Sequence, residues 1–352
     1  MKILVVRFSS LGDLVLMTPL LRELKKKFPD SSIDLVTAKE FAPLFDGNPH
    51  LSKIIPFDRK AEQSLWSLYQ QLKLNGYSIV IDAHGSLRSR VLSVMLRLSI
   101  FKKVKVVQLR KRYRLRYLMS LPRWIRPDYL VKKYSSDSLP LRLAYLDILK
   151  KIDPKITGEL DASTELFPSL QHEKEVEEVL SGWKGEWVAI APSARHELKE
   201  WGVDKFTQLI ASLPENIKPI IVGGAKDKSC LKLLDKHPEI PSLLGKQLLT
   251  CAAAIARCKA TVSNDSANLH ISEAMGIPVV AIFGSTVPEL GYAPFLDRSH
   301  LLSVDLFCRP CTVTGKGKCR NTVYKKCMKD IPADRALEAL KQARCASVAS
   351  SK

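Results

Sequence analysis

The 352-residue chain has no run of roughly 18 uncharged apolar residues, the length a spanning helix needs, so no transmembrane helix is expected. The apolar run at Met1–Val6 is too short for a signal peptide, and no small-residue cleavage site follows it. A cytoplasmic protein able to touch a membrane surface is the expectation. Acid is in short supply: 36 Asp and Glu stand against 55 Lys and Arg, a net charge of +19. That imbalance calls for an anionic partner, which can be nucleic acid, a membrane surface or a phosphorylated substrate. What is present is otherwise ordinary: 46% apolar and 26% charged residues are globular values, in a chain long enough for two cores.

Strand-like and helix-like segments alternate. Ile3–Val6, Ile33–Thr37 and Ile79–Asp82 read as strands; Leu14–Phe28 and Ala61–Leu74 read as helices. Such alternation predicts a parallel, doubly wound sheet. Residues Phe101–Lys133 interrupt it with twelve Lys and Arg, interleaved with Tyr113, Tyr117 and Trp124. A helix follows at Pro140–Lys150, and the polar stretch 151–185 is the expected linker region. The second half repeats the pattern: strands at Trp187–Ala191, Pro219–Val222 and Ala260–Ser263, helices at Asp204–Leu213, Lys226–Lys236, Leu249–Arg257 and Ile331–Ala346. The expected organisation is two α/β domains, 1–165 and 166–352, facing a cleft, with the final helix free to pack back on the first. Ligands of open α/β sheets sit at the carboxyl ends of the strands.

The segment Val262–Pro288 reads as strand, acidic turn, helix, Gly-Pro turn, strand and Gly-Ser-Thr loop. Free N–H groups at a helix start suit a phosphate, which points to Ser266, Ala267 and Asn268. Asp265 or Ser266 is the expected cap, and Ser285 and Thr286 offer hydroxyls. Ala267, His270, Ile271, Ala274 and Met275 are spaced as an inward stripe, so His270 reads as a packed histidine rather than a catalyst. Asp13 follows the first strand by a short turn; it can be a helix cap, a proton acceptor or both, with Gly12 as the loop's hinge. Lys199 follows a later strand, beside Trp201, where it can neutralise a leaving diphosphate.

R-F-S-S-L-G-D-L-V-L-M-T-P (Arg7–Pro19) together with N-D-S-A-N-L-H-I-S-E-A-M-G-I-P-V-V-A-I-F-G-S-T-V-P (Asn264–Pro288) resembles the ADP-heptose:lipopolysaccharide heptosyltransferases, glycosyltransferase family 9, of the heptosyltransferase II type. The K-x-W of Lys199–Trp201, the Gly223-Gly224 turn and I-D-x-H-G-x-L-R-S (Ile81–Ser89) extend the resemblance over nearly the whole chain. It implies a GT-B fold of two Rossmann-like domains, the first taking the acceptor and the second the nucleotide-sugar. Asp13 is then the base of an inverting transfer, and Ser10, Gly12, Arg88 and Arg90 lie on the acceptor side. Ser193, Lys199, Asp227, Asp265, Ser266, Ala267, Asn268 and Thr286 lie on the donor side. The resemblance implies no metal and no cofactor, since ADP-heptose is a substrate. It further implies an inner-core lipopolysaccharide acceptor, a monomer, and a place at the inner face of the cytoplasmic membrane.

Two positions depart from the family's pattern: Ala267 where glycine is common, and Ser138 where a histidine often precedes the residue matching Arg142. The basic stretch Lys102–Lys133 suits an anionic acceptor at a membrane surface, and a solvated helical face is its plainer reading. Cys308, Cys311, Cys319 and Cys327 are spaced loosely like a structural zinc site, with reduced packed thiols or an adventitious disulfide the preferred readings. The other readings are a transferase using a different nucleotide-sugar, a non-catalytic nucleotide-binding protein, and a nucleic-acid-binding protein. No reader motif supports the last.

Overall fold

The computed structural model describes residues 1–58, 64–99, 104–109, 118–121, 125–126, 140–181 and 185–345. The chain divides into two compact units: Met1–Lys111 with Leu141–Phe167, and Arg112–Pro140 with Pro168–Lys352. Most of the basic stretch, and Ser138, lie outside the described residues.

The first unit runs β1 (Lys2–Val6), α1 (Leu11–Val15), α2 (Thr18–Lys27), β2 (Ser32–Ala38), β3 (Lys53–Phe57), α3 (Leu65–Lys73), β4 (Ile79–Asp82), α4 (Leu87–Ser99), β5 (Lys105–Gln108) and α5 (Leu141–Ile152). Its strands form one parallel sheet in the order β3-β2-β1-β4-β5. A sheet covered by helices on both faces needs continuous apolar strands, and Ile3–Val6 are all fully buried. Asp34 is the exception inside β2. Its carboxylate accepts the Tyr77 hydroxyl at 2.8 Å and pairs with Lys2 at 3.8 Å. Burial, then Asp34, pushes the Tyr77 hydroxyl well above the usual tyrosine range. The helix expected at Leu14–Phe28 is two helices, because Pro19 suits a helix start but not an interior.

The second unit runs α6 (Leu170–Leu180), β6 (Glu186–Ala191), α7 (Val203–Ala211), β7 (Ile217–Ile221), α8 (Lys228–Lys236), α9 (Leu248–Ala256), β8 (Cys258–Asn264), α10 (Ala267–Ala274), β9 (Val279–Ile282), β10 (His300–Leu302), α11 (Lys326–Lys329) and α12 (Ala333–Cys345). Its parallel sheet has the order β10-β9-β8-β6-β7. A single bridge between Ile221 and Ser242 adds the stub of one more strand beyond β7. The Ile221 N–H donates to Pro241 O at 3.0 Å and the Leu243 N–H to Ile221 O at 2.9 Å. With that stub the second sheet follows the same 3-2-1-4-5 plan as the first and adds a sixth strand.

The polar stretch 151–185, expected as linker, contains α6, which packs on α9. The final helix, free on sequence grounds to pack back on the first domain, fills the core of the second. Ala336, Ala339, Leu340 and Ala343 of α12 are buried with Val262, Val280 and Phe206. Leu340→Ala is therefore expected to cost about 2–5 kcal/mol. Urea unfolding of the full chain measures it, and a surface-sized loss below about 0.5 kcal/mol would contradict this packing.

Candidate active site

In an open parallel sheet whose order reverses, the crossovers on either side of the reversal leave in opposite directions. A crevice opens there, at the carboxyl ends of two adjacent strands. The first sheet reverses between β1 and β4, the second between β6 and β8. The candidate site residues lie largely on the loops that leave these four strands.

At the first reversal Arg7 is the central residue. It follows β1 and is fully buried. One guanidinium nitrogen donates to Ala83 O, just after β4; the other lies 2.7 Å from Asp13 Oδ2. The guanidinium also sits 5.4 Å from the Tyr145 ring centroid. Asp13 Oδ2 accepts in addition the Ser10 hydroxyl at 2.7 Å and the Ser10 N–H at 3.3 Å. Asp13 is thus not the helix cap. Ser10 caps α1, and Asp13, three residues on, reaches back to it. Its side chain remains 13% exposed, so the carboxylate is held from behind and open in front. The hinge expected at Gly12 is corrected too. Gly12 lies in the first turn of α1, where its carbonyl accepts the Leu16 N–H at 3.0 Å.

The β4 loop supplies a second group. Asp82 Oδ1 accepts the N–H groups of His84 and Gly85 at 3.1 and 2.8 Å, and Gly85 adopts φ +67°, a conformation suited to glycine. This turn aims His84 Nδ1 at the Phe8 N–H, which donates to it at 3.1 Å. A neutral ring then carries its proton on Nε2. Ser86 and Ser89 exchange hydrogen bonds and start α4, at whose beginning Arg88 and Arg90 stand exposed. Arg7 and His84 were not singled out from the sequence beyond the motifs that contain them. The signal available was an arginine within a strand-end apolar run, and a D-x-H-G turn.

At the second reversal the central residue is Asp265, only 6% exposed, immediately after β8. Its Oδ2 pairs with Lys199 Nζ at 2.7 Å and accepts the Thr286 hydroxyl at 2.5 Å. Asn264 beside it accepts the Trp201 N–H at 3.0 Å and donates to Pro192 O at 2.7 Å, tying the β8 end to the β6 loop. Ser266 is the observed cap of α10, its hydroxyl accepting the Asn268 N–H at 3.3 Å. Ala267 and Asn268 stand half-exposed in the first turn. The inward stripe differs from expectation. Leu269, His270, Ile271, Ser272 and Glu273 are buried, whereas Ala267 and Met275 are not, because α10 is covered on several sides. His270 is buried, its ring 6.2 Å from that of Tyr292.

Ser193 is buried with its hydroxyl 3.3 Å from Cys230 Sγ. Asp227 caps α8 and reaches back to accept the Gly224 N–H at 2.7 Å. A Cβ on Gly223 would meet Cys230 Sγ at 2.5 Å, which explains the glycine there. Burial first, then Arg195, Lys199 and Lys316, holds His196 below the usual imidazole range.

The cysteine segment braces this loop system. Arg309 donates to the carbonyls of Gly284, Val304, Phe283 and Thr286, and the Cys311 N–H donates to Ser285 O at 2.9 Å. A Cβ on Gly315 would meet the Lys199 stem at 2.7 Å. Cys308 Sγ accepts from Asn321 at 3.5 Å and Cys319 Sγ from the Lys325 N–H at 3.3 Å. All eight cysteines are free thiols. Among the described residues no group of three or more His, Cys, Asp or Glu is arranged to hold a metal ion.

Burial pushes the thiols of Cys230, Cys251 and Cys258 up to about 12. They stay protonated at pH 8, and only thiolates react. Iodoacetamide at that pH is expected to label exposed Cys345 while sparing these three, as read by peptide mass mapping; labelling of the three at the rate of Cys345 would refute their burial.

Comparison with known proteins gives the arrangement its context. "Lipopolysaccharide heptosyltransferase 3" of Escherichia coli (strain K12) is 24% identical over 78% of this chain and 80% of its own length. "Lipooligosaccharide heptosyltransferase 2" of Haemophilus ducreyi is 27% identical over 97% of this chain and 99% of its own. The solved E. coli ADP-heptose lps heptosyltransferase II superposes with a TM-score of 0.74 at 21% identity, over 97% of this chain and 98% of that one. That likeness shows the fold, the GT-B class of two Rossmann-like domains. The family described as Glycosyltransferase family 9 (heptosyltransferase) matches residues 65–319, more than half of the chain. The chain belongs to glycosyltransferase family 9, the heptosyltransferases.

Proposed function

We propose that this enzyme moves heptose from ADP-heptose to a hydroxyl of an anionic inner-core lipopolysaccharide acceptor, with inversion at the anomeric carbon. The observation that supports it most directly is the pairing of functions between the two sheets. A restrained, partly open carboxylate stands at one reversal, and a lysine with a helix whose first turn is half-exposed stands at the other. The family match begins at residue 65, so the role of Asp13 rests on its geometry and motif rather than on that match.

In the proposed step, Asp13 accepts the proton of the acceptor hydroxyl. The oxygen attacks the anomeric carbon from the side opposite the diphosphate. The bond from that carbon to the leaving oxygen breaks, and its electron pair departs with ADP. Lys199 and the first-turn amides of α10 meet the charge that builds on the diphosphate, while Thr286, expected beside them as a further donor, gives its hydroxyl proton to Asp265. These donors are proposed to suffice without a metal, so transfer should survive EDTA. Asp265 holds Lys199 and Thr286 on one oxygen, which fixes both before the donor arrives. Arg7 does the same for Asp13, leaving the carboxylate little freedom to turn away. Ser10, Arg88 and Arg90 are proposed to face the acceptor, and Ser193 and Asp227 to shape the donor loops. We further propose that the protein acts as a monomer, held peripherally at the inner face of the cytoplasmic membrane.

Two substitutions separate the halves of this mechanism. Asp13→Asn, which keeps a hydrogen-bond acceptor for buried Arg7, should lower kcat/KM for transfer by about 10²–10⁴-fold and leave the ADP-induced rise in Tm intact. Lys199→Met should abolish or sharply reduce that rise. Transfer assays on Kdo-lipid A and heptosyl-Kdo-lipid A, side by side, identify the acceptor. Undiminished transfer by Asp13→Asn would remove Asp13 as the base; no Tm shift of the wild type at millimolar ADP would remove the donor assignment.

A further inference from the structure

Helix α4 has two apolar faces. Ser89, Leu92, Ser93 and Leu96 are fully buried, and Leu92 and Leu96 pack into the core of the first sheet. On the other side Leu87 and Leu98 are each 80% exposed, Val94 51% and Val91 41%. At about 100° per residue these four fall within roughly 60° of the helix circumference, opposite the buried face. A helix that merely borders solvent carries polar residues there. Single exposed apolar side chains are ordinary, but four in one stripe form a patch. Trp66, 59% exposed, and Leu74, 84% exposed, stand on or just after α3, which packs beside α4.

Charge decides what covers the patch. Arg88 flanks the stripe on one side, Arg90 and Arg97 on the other, and all three are exposed. Neither α3 nor α4 contains an Asp or Glu. The sequence continues past α4 into the basic stretch that starts at Lys102. Two copies of this chain meeting through the stripe would set arginine against arginine with no acid on either helix to pair them. An anionic bilayer supplies the complementary charge, and its headgroup boundary accepts leucine, valine and tryptophan.

We propose that the outer face of α4, with Trp66 of α3, docks on the surface of an anionic lipid bilayer. This deepens the membrane-surface part of the proposed function and rests on it. It also gives the location a purpose. Because α4 begins at the turn after β4, docking would bring the Asp13 end of the first sheet toward the lipid, where a lipid-linked acceptor lies.

Flotation of the full-length protein with vesicles tests this, using phosphatidylcholine alone and phosphatidylcholine with about 30% phosphatidylglycerol. Two double variants are compared with wild type, L87Q/L98Q and V91Q/V94Q, each confirmed folded by its unchanged Tm. The expected result is wild-type binding to the anionic vesicles only, reduced at least about fivefold in each double variant. Transfer to a deacylated, water-soluble acceptor should stay at the wild-type rate. Vesicle binding unchanged in both variants overturns the proposal, as does failure of the wild type to bind anionic vesicles. A wild-type dimer in sedimentation velocity that both variants dissolve overturns it in favour of self-association. Absence of wild-type transfer to the soluble acceptor, with vesicle binding still lost in the variants, removes the transferase reading and leaves the docking face supported.

Discussion

The reversal of strand order is the constraint on which the rest of this molecule depends. A parallel sheet must return each strand through a crossover, and the right-handed sense of that crossover fixes which face it covers. Where the order turns back on itself, two neighbouring strands send their chains apart, and their carboxyl ends are left uncovered. Both sheets here have such a place, β1 beside β4 and β6 beside β8. Backbone amides and short polar side chains collect at these strand ends. The stub at Pro241–Leu243 shows how strongly the plan is kept: one bridge is enough to complete the strand order of the second sheet.

Each reversal is organised by one buried ion pair, and the two pairs are built in opposite senses. At the first, the cation is fully buried and the carboxylate is the member that still sees solvent. At the second, the side chain of Asp265 is 7% exposed and that of Lys199 15%, so the carboxylate is the more enclosed. A buried charge left without its partner costs about 3–5 kcal/mol, so each pair locks its outer member in place. The outer member at one reversal is an anion suited to accepting a proton. At the other it is a cation suited to meeting a phosphate. Neither pair is a stability device in the first instance, since apolar residues of similar size would serve as well there. Their retention at the two uncovered strand ends fits preorganisation of a reacting group.

Much of this was legible in the sequence because the central strands are buried on both faces and so read as unbroken apolar runs; Ile3–Val6, Ile79–Asp82 and Trp187–Ala191 all lie in strands. β3, β5 and β10 were not legible. All three are edge strands; β3 alternates exposed and buried residues around Pro56, and β5 lies within the basic stretch read as an interruption. Helix α6 was hidden by its charge, since only Val176 and Leu180 of its eleven residues are buried. The site shows the same division. Asp265, Lys199 and Thr286 carry their chemistry in their residue types, and the structure brings the three together. Arg7 does not: a lone arginine at the end of an apolar strand reads as a surface charge until the fold shows it enclosed by Asp13, Ala83 and Tyr145. Gly12 misled for the converse reason. Glycine beside a turn suggests a hinge, and only the Leu16 hydrogen bond shows it to be helical.

The two faces of α4 connect the first reversal to the charge of the whole chain. A net charge of +19 distributed evenly would raise non-specific attraction to any polyanion. It is not evenly distributed. In α4 the basic residues flank an apolar stripe, and the helix starts at the turn after β4. Electrostatic attraction acts over about a Debye length and gathers the protein near an anionic surface. Apolar insertion acts only on contact and fixes which side faces it. The combination orients as well as concentrates, and basic residues alone would not do that. If the acceptor is confined to a surface, as proposed, orientation matters as much as affinity, because a base held away from the bilayer would meet no hydroxyl however tightly the protein is bound.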